Sequence, residues 1–158
     1  MTELLPPDAG TTAHEADPAN LQETAAHAVH PAVIAFEELV ASRTTWIETF
    51  LKPWCQQAPR LALLRAHQEW PDIAGKVDPD RTLWLWAWSR FSAMCVEGLS
   101  GLDESFAIRV TLQDGTQQTG YPDARASRFG YLTLVPLDPD EESPAPLSID
   151  NIASIVRD

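Results

Sequence analysis

The sequence predicts an α+β protein: a disordered acidic tail at residues 1–29, a helical region at 30–100 and a five-stranded small β-barrel at 101–158. Three observations predict it. Residues 1–29 hold five acidic side chains, no lysine or arginine and no aromatic residue, too little apolar surface to offset chain entropy. From Pro31 apolar side chains recur at helical spacing. From Phe106 the period drops to two, and Asp114-Gly115 marks a hairpin turn.

The first helix opens at Pro31, whose missing N–H is not needed in a first turn. Val33, Phe36, Val40, Ile47, Phe50 and Leu51 share its inner face, while Glu37, Glu38, Arg43 and Glu48 stay outside. Thr44 or Thr45 is placed to cap a second segment if the helix bends, and Pro53 ends it. The stretch "APRLALLRAHQEW" is a second helix with Pro59 near its start and Leu61, Leu63 and Leu64 turned inward. "PDIAGKVDPD" reads as a loop.

Residues 81–96 have two readings. Trp84, Trp86 and Trp88 alternate as in a strand, yet Asp80 suits a helix cap and the length of the run to Cys95 favours a helix. The three tryptophans are either core anchors of the helical part or an exposed aromatic platform. One of them is expected at the seam between helices and barrel.

In the last third, Phe106, Ile108, Val110 and Leu112 point one way and Ala107, Arg109 and Thr111 the other, as in a half-buried strand. The return strand runs from Thr116 to Tyr121, with Gly120 letting it bend. Tyr131 to Val135 form a third strand and "DPDEESPAP" an acidic loop. "PLSID" and "ASIVRD" are the last two strands, with Asn151 and Ile152 turning between them.

Five short strands with a bent second member describe an Sm-like or SH3-like small barrel. The stretch "IRVTLQDGTQQTGY … YLTLVP … LSIDNIASI" resembles the Sm-like pattern and is similar, more loosely, to the bacterial Rho-binding antiterminator family, which is acidic with a small barrel of this kind. The resemblance covers about the last third of the chain and implies a fold more than an activity. Sm-type RNA sites carry an Asp and an Asn flanking the third strand and often an Arg-Gly pair before the last. The matching stretches here read Ser127-Arg128-Phe129-Gly130-Tyr131 and Asp150-Asn151-Ile152.

Charge and motifs narrow the function. With 23 acidic against 11 basic side chains, the formal charge is −12. Such a chain repels nucleic-acid phosphates unless its cations gather on one face, and it favours a basic protein surface. No segment resembles a secretory signal and no run approaches the roughly 18 apolar residues of a membrane span, so a cytoplasmic, non-membrane protein is expected. Cys55 and Cys95 read as reduced core thiols. No phosphate loop, nucleophile elbow, paired-cysteine zinc motif or kinase signature is present, so neither an enzyme nor a cofactor is expected. Glu23, His27 and His30 would share one face of a helix but lack a second ligand cluster, so no metal is assigned. His67 stands near Glu69 and Asp72 in sequence, which alone makes no acid–base pair.

The strongest candidate site is the loop after the second strand: Tyr121, Arg125, Arg128, Phe129 and Tyr131. Arginine and aromatics carry interface hot spots and also stack on single-stranded bases. A competing reading makes Phe129 and Tyr131 core, with the arginines balancing the acidic loop at 138–142. The expected function is a non-enzymatic interaction or regulatory module that binds another protein through the barrel. The alternative is an Sm-like RNA-binding protein using loop 121–131. Composition carries no signal of oligomeric state.

Overall fold

The computed structural model describes residues 35–158. The tail at 1–29, Pro31, Val33 and the set Glu23, His27 and His30 lie outside the described residues. The chain divides into two units between Thr44 and Thr45.

The described element of the first unit is α1 (Phe36–Trp46), which runs across the division. It has Glu37 and Glu38 in its first turn and Arg43 in its last, the order the helix dipole favours. None of its residues is buried, and Phe36 is 74% exposed, which corrects the inward placement of Phe36 and Val40. Helical spacing identifies a shared face; it does not supply what covers that face.

In the second unit the helix does not end at Pro53. A π-helical turn, Ile47–Leu51, leads into α2 (Lys52–Gln57). The Lys52 N–H donates to the Ile47 carbonyl across the wide turn, and Pro53 falls in the first turn of α2, where no N–H is required. Neither threonine caps the new segment, because Trp46 precedes it in helical geometry without a side-chain cap. Helix α3 (Arg60–Gln68) buries Leu63 and Ala66 but leaves Leu61 73% exposed, a second correction to the inward set. The Asp150 carboxylate accepts the Arg60 N–H at 2.9 Å and so caps α3 from the far end of the sequence.

The expected loop at 71–80 contains a short helix, α4 (Trp70–Ala74), with Pro71 in its first turn and a fully buried Trp70 anchoring it. A 3₁₀ turn follows at Pro79–Arg81, capped by Asp78, whose carboxylate accepts the Asp80 N–H at 2.9 Å; the helix beyond it is preceded by Thr82, so Asp80 is not its cap. Residues 81–96 are helical in their first part only. Helix α5 (Leu83–Trp88) stops because Arg90 turns back, donating to the carbonyls of Ala87 at 2.9 Å, Cys55 at 2.9 Å and Ala58 at 2.8 Å. A second 3₁₀ turn occupies Ser92–Met94.

Six strands follow, against the five expected. They are β1 (Ile108–Leu112), β2 (Gln117–Pro122), β3 (Tyr131–Leu132), β4 (Leu134–Val135), β5 (Leu147–Ser148) and β6 (Ile152–Arg157). The extra strand arises at Thr133, which breaks the expected third strand in two. Its N–H donates to the Ser127 hydroxyl at 2.8 Å and its carbonyl accepts the Asp123 N–H at 2.9 Å, so no ladder partner remains for it. One antiparallel sheet has the order β4-β2-β1-β6, and β3 pairs with β5. The Asp114-Gly115 turn is present, with Gly115 at φ 89° and Thr111 opposite Gln117. Strand β1 starts at Ile108; Phe106 is exposed with the Arg157 guanidinium 4.2 Å from its ring centre. A 3₁₀ turn at Ile149–Asn151 joins β5 to β6.

One apolar cluster joins the helices and strands of the second unit, running from Leu63, Trp70, Leu83 and Trp88 to Ile108, Val110, Leu132, Leu134 and Ile149. Trp84 and Trp88 are buried in it, so these two are core, and Trp86 is half-buried. Cys55 and Cys95 are both free. Burial pushes the Cys55 thiol up to about 12 against the pull of Arg90, and Cys95 up to about 11, so neither offers a thiolate at neutral pH. Among the described residues no helix is long and apolar enough to cross a membrane.

Candidate functional site

The loop from Tyr121 to Tyr131 is fixed by its own polar side chains. The Asp123 carboxylate accepts the N–H groups of Arg125 at 3.1 Å and Ala126 at 3.0 Å, and Glu104 accepts the Ala124 N–H at 2.6 Å. The Ser127 N–H returns to the Asp123 carbonyl at 2.9 Å. Asn, Asp and Ser side chains favour such local bonds, which is why this stretch makes a turn.

Beyond that turn the backbone enters left-handed space twice in succession, with Phe129 at φ 55° and Gly130 at φ 84°. For a side-chain-bearing residue this costs about 1–2 kcal/mol. Phe129 is held there from three sides. Arg60 Nε donates to its carbonyl at 2.8 Å, its ring centre lies 5.5 Å from that of His67, and it meets the Trp84 ring edge-on at 6.4 Å. Trp84 Nε1–H donates to His67 Nδ1 at 2.8 Å, which orients both rings. Gly130 is required twice over, since a β-carbon there would lie 2.9 Å from Arg60 Cγ and 3.1 Å from Trp84 Cζ3.

Arg125, Arg128 and Phe129 line a cleft of about 350 Å³ together with Asp78, Asp80 and Arg81 and a floor that includes Trp84, Trp88 and Leu102. Arg128 reaches Asp80 at 3.3 Å and Arg81 approaches Asp78 at 4.0 Å, whereas Arg125 has no ion-pair partner among the described residues. Three arginines against two aspartates make the cleft net positive on a chain of charge −12.

The five expected residues are only partly brought together. Arg125, Arg128 and Phe129 share the cleft. Tyr131 lies on the other side of the loop, where the Arg60 guanidinium stacks 4.0 Å from its ring centre, and it shares a second hollow with Arg128 and Pro146. Tyr121 stands on β2 opposite Val135 and lines neither. Sequence reasoning missed Arg60 and Arg81 and did not foresee the bond between His67 and Trp84. Arg60 and Phe129 are 69 positions apart, so no local spacing links them. One tryptophan was expected at the seam as an exception to core burial; Trp84 and Trp88 both line the cleft, and both are buried. Among the described residues no group of three or more His, Cys, Asp or Glu side chains is placed to hold a metal ion.

No family model, curated protein or solved structure matches this chain.

Proposed function

We propose that this chain is a non-enzymatic, cytoplasmic interaction module that grips another protein at the cleft beside loop 121–131. The strand path supports a closed small barrel of Sm or SH3 type under that loop. It runs β6-β1-β2-β4, passes through Thr133 into β3, crosses to β5 and returns through the last 3₁₀ turn to β6.

The observation that carries the reading is Phe129. A phenylalanine sits in left-handed geometry, 43% exposed, on the lining of a cleft that also holds three arginines. Backbone strain of this kind persists where the surroundings over-determine it, and it gathers at binding sites. Arg125 offers an uncommitted guanidinium for a carboxylate, while Phe129 supplies an apolar edge. The fitting partner is a basic protein surface presenting one acidic anchor beside an apolar residue; the surface answers the charge of the whole chain and the anchor answers the cleft.

The test is capture of partners by wild type and by Arg125→Glu/Arg128→Glu from native cell extract, with and without nuclease and across a salt series. Both arginines are exposed, so the double variant melts with wild type, and it loses its partner. A protein partner survives nuclease. The three arginines beside an exposed aromatic also fit single-stranded RNA. That partner would vanish with nuclease and fall steeply with salt through counterion release. Capture by the double variant equal to wild type overturns the assignment of the cleft.

A further inference from the structure

A second concave surface lies among the helices of the second unit and includes none of the cleft residues. The π-helical turn with α2, then α3, then α4 form the walls of an open groove of about 1020 Å³. Its floor is buried and apolar, made by Leu51, Ala66 and Trp70. Its walls carry Leu61 and Trp54, which are 73% and 43% exposed. A large leucine and a tryptophan held out of the core on facing helical segments are anchor residue types at protein interfaces. Three charged side chains also line the groove: Arg65, Glu69 and Asp72. None of the three has an ion-pair partner among the described residues.

We infer that this groove is a docking site for a basic amphipathic helix of a partner protein. A helix lays its apolar face into a groove of this kind through residues spaced i, i+3, i+4 and i+7, so three successive helical walls around an apolar floor match that ligand shape. Charge selects its sign. Glu69 and Asp72 outnumber Arg65 at the groove, and the chain carries −12 in all. A lysine or arginine beside the helix's apolar face meets the two carboxylates, and an acidic residue about one turn away meets Arg65. A second copy of this chain would bring another −12 to the same place and is disfavoured by the same field.

The probe is a pair of synthetic amphipathic peptides with one apolar face, one edged with lysines and the other with glutamates, titrated into the full chain by calorimetry. The lysine peptide should bind at least about tenfold more tightly than its glutamate counterpart. Leu61→Asp should weaken it by about tenfold or more, while thermal melting stays at the wild-type midpoint because Leu61 contributes little to the core. Glu69→Lys/Asp72→Lys should reverse the preference between the two peptides. Arg125→Glu/Arg128→Glu should leave binding unchanged, which separates failure of this site from failure of the cleft. Absence of binding by both peptides, equal binding of both, or an unaltered affinity in folded Leu61→Asp overturns the inference. So does a dimer in sedimentation that Leu61→Asp disperses, for then the occupant is a second copy.

Discussion

A β-carbon at position 120 would lie 2.6 Å from the backbone oxygen of Val135 and 3.1 Å from the Leu134 side chain. Gly120 is therefore needed because β4 crosses close to it, and not because its φ is positive. Gly115 is the opposite case, at φ 89° with nothing within 4 Å of the added carbon. Two alanine substitutions separate the causes. Gly115→Ala should cost about 1 kcal/mol of turn strain. Gly120→Ala should cost more, about 2–3 kcal/mol, by prying β4 from β2, and Gly120→Val should leave the sheet unfolded or aggregating. Denaturant titration of the three variants checks this, and equal costs at both alanine sites would refute it. That position 120 wants glycine was legible in the sequence. That another strand imposes the demand was not, because the crowding atoms come from Leu134 and Val135.

At the scale of elements, Arg90 fastens helix ends together. It takes up carbonyls of Cys55 and Ala58 at the close of α2 and of Ala87 near the close of α5, groups that no intrahelical N–H can satisfy. Burial lowers the affinity of its guanidinium for a proton, and Asp150 works against that shift. Arg90→Met should lower stability by about 2 kcal/mol, since charge-assisted bonds are lost and the Cys55 and Ala58 carbonyls are left bare. Equilibrium unfolding would measure it, and a wild-type midpoint would show that water replaces the guanidinium. The periods of 3.6 and 2 made helices before strands legible. The element boundaries were not. Pro53 reads as a stop, yet a π-helical turn shifts the frame so that it becomes a start. Thr133 sits in an otherwise apolar run, yet Ser127 and Asp123 remove it from the ladder. The three cleft residues found in advance share one short loop; those missed belong to elements that folding brings to it.

At the scale of the molecule, acid should unfold this protein through particular carboxyls. Asp103, only 4% exposed, is held below the usual carboxylate range by the Ser105 N–H and hydroxyl, with Arg157 at 3.1 Å adding to the effect. Asp114 is lowered by the hydroxyl and N–H of Thr116. A carboxyl whose folded pKa is depressed contributes stability that is complete above its unfolded value, about 3.9, and is lost as pH falls through the folded one. The melting midpoint should therefore drop steadily as pH is taken from about 5 towards 2. Asp103→Asn should be less stable than wild type at neutral pH and should lose less on acidification. A calorimetric pH series decides it; an unchanged slope in Asp103→Asn would assign the acid sensitivity to other carboxyls.

The bond from the Asp150 carboxylate to the Arg60 N–H spans ninety positions of sequence. Protein synthesis is directional, so α3 leaves the ribosome long before its cap exists, and β1 emerges without β6 beside it. Arg60 holds Phe129, and the Gly130 carbonyl receives the Ile149 N–H at 2.8 Å. A nascent chain halted before residue 149 lacks the Asp150 cap on Arg60 and the Ile149 bond to Gly130, however much helix it has made. The shape of loop 121–131 is thereby completed only once Ile149 and Asp150 have been made, by residues that belong to neither the loop nor the helix that holds it.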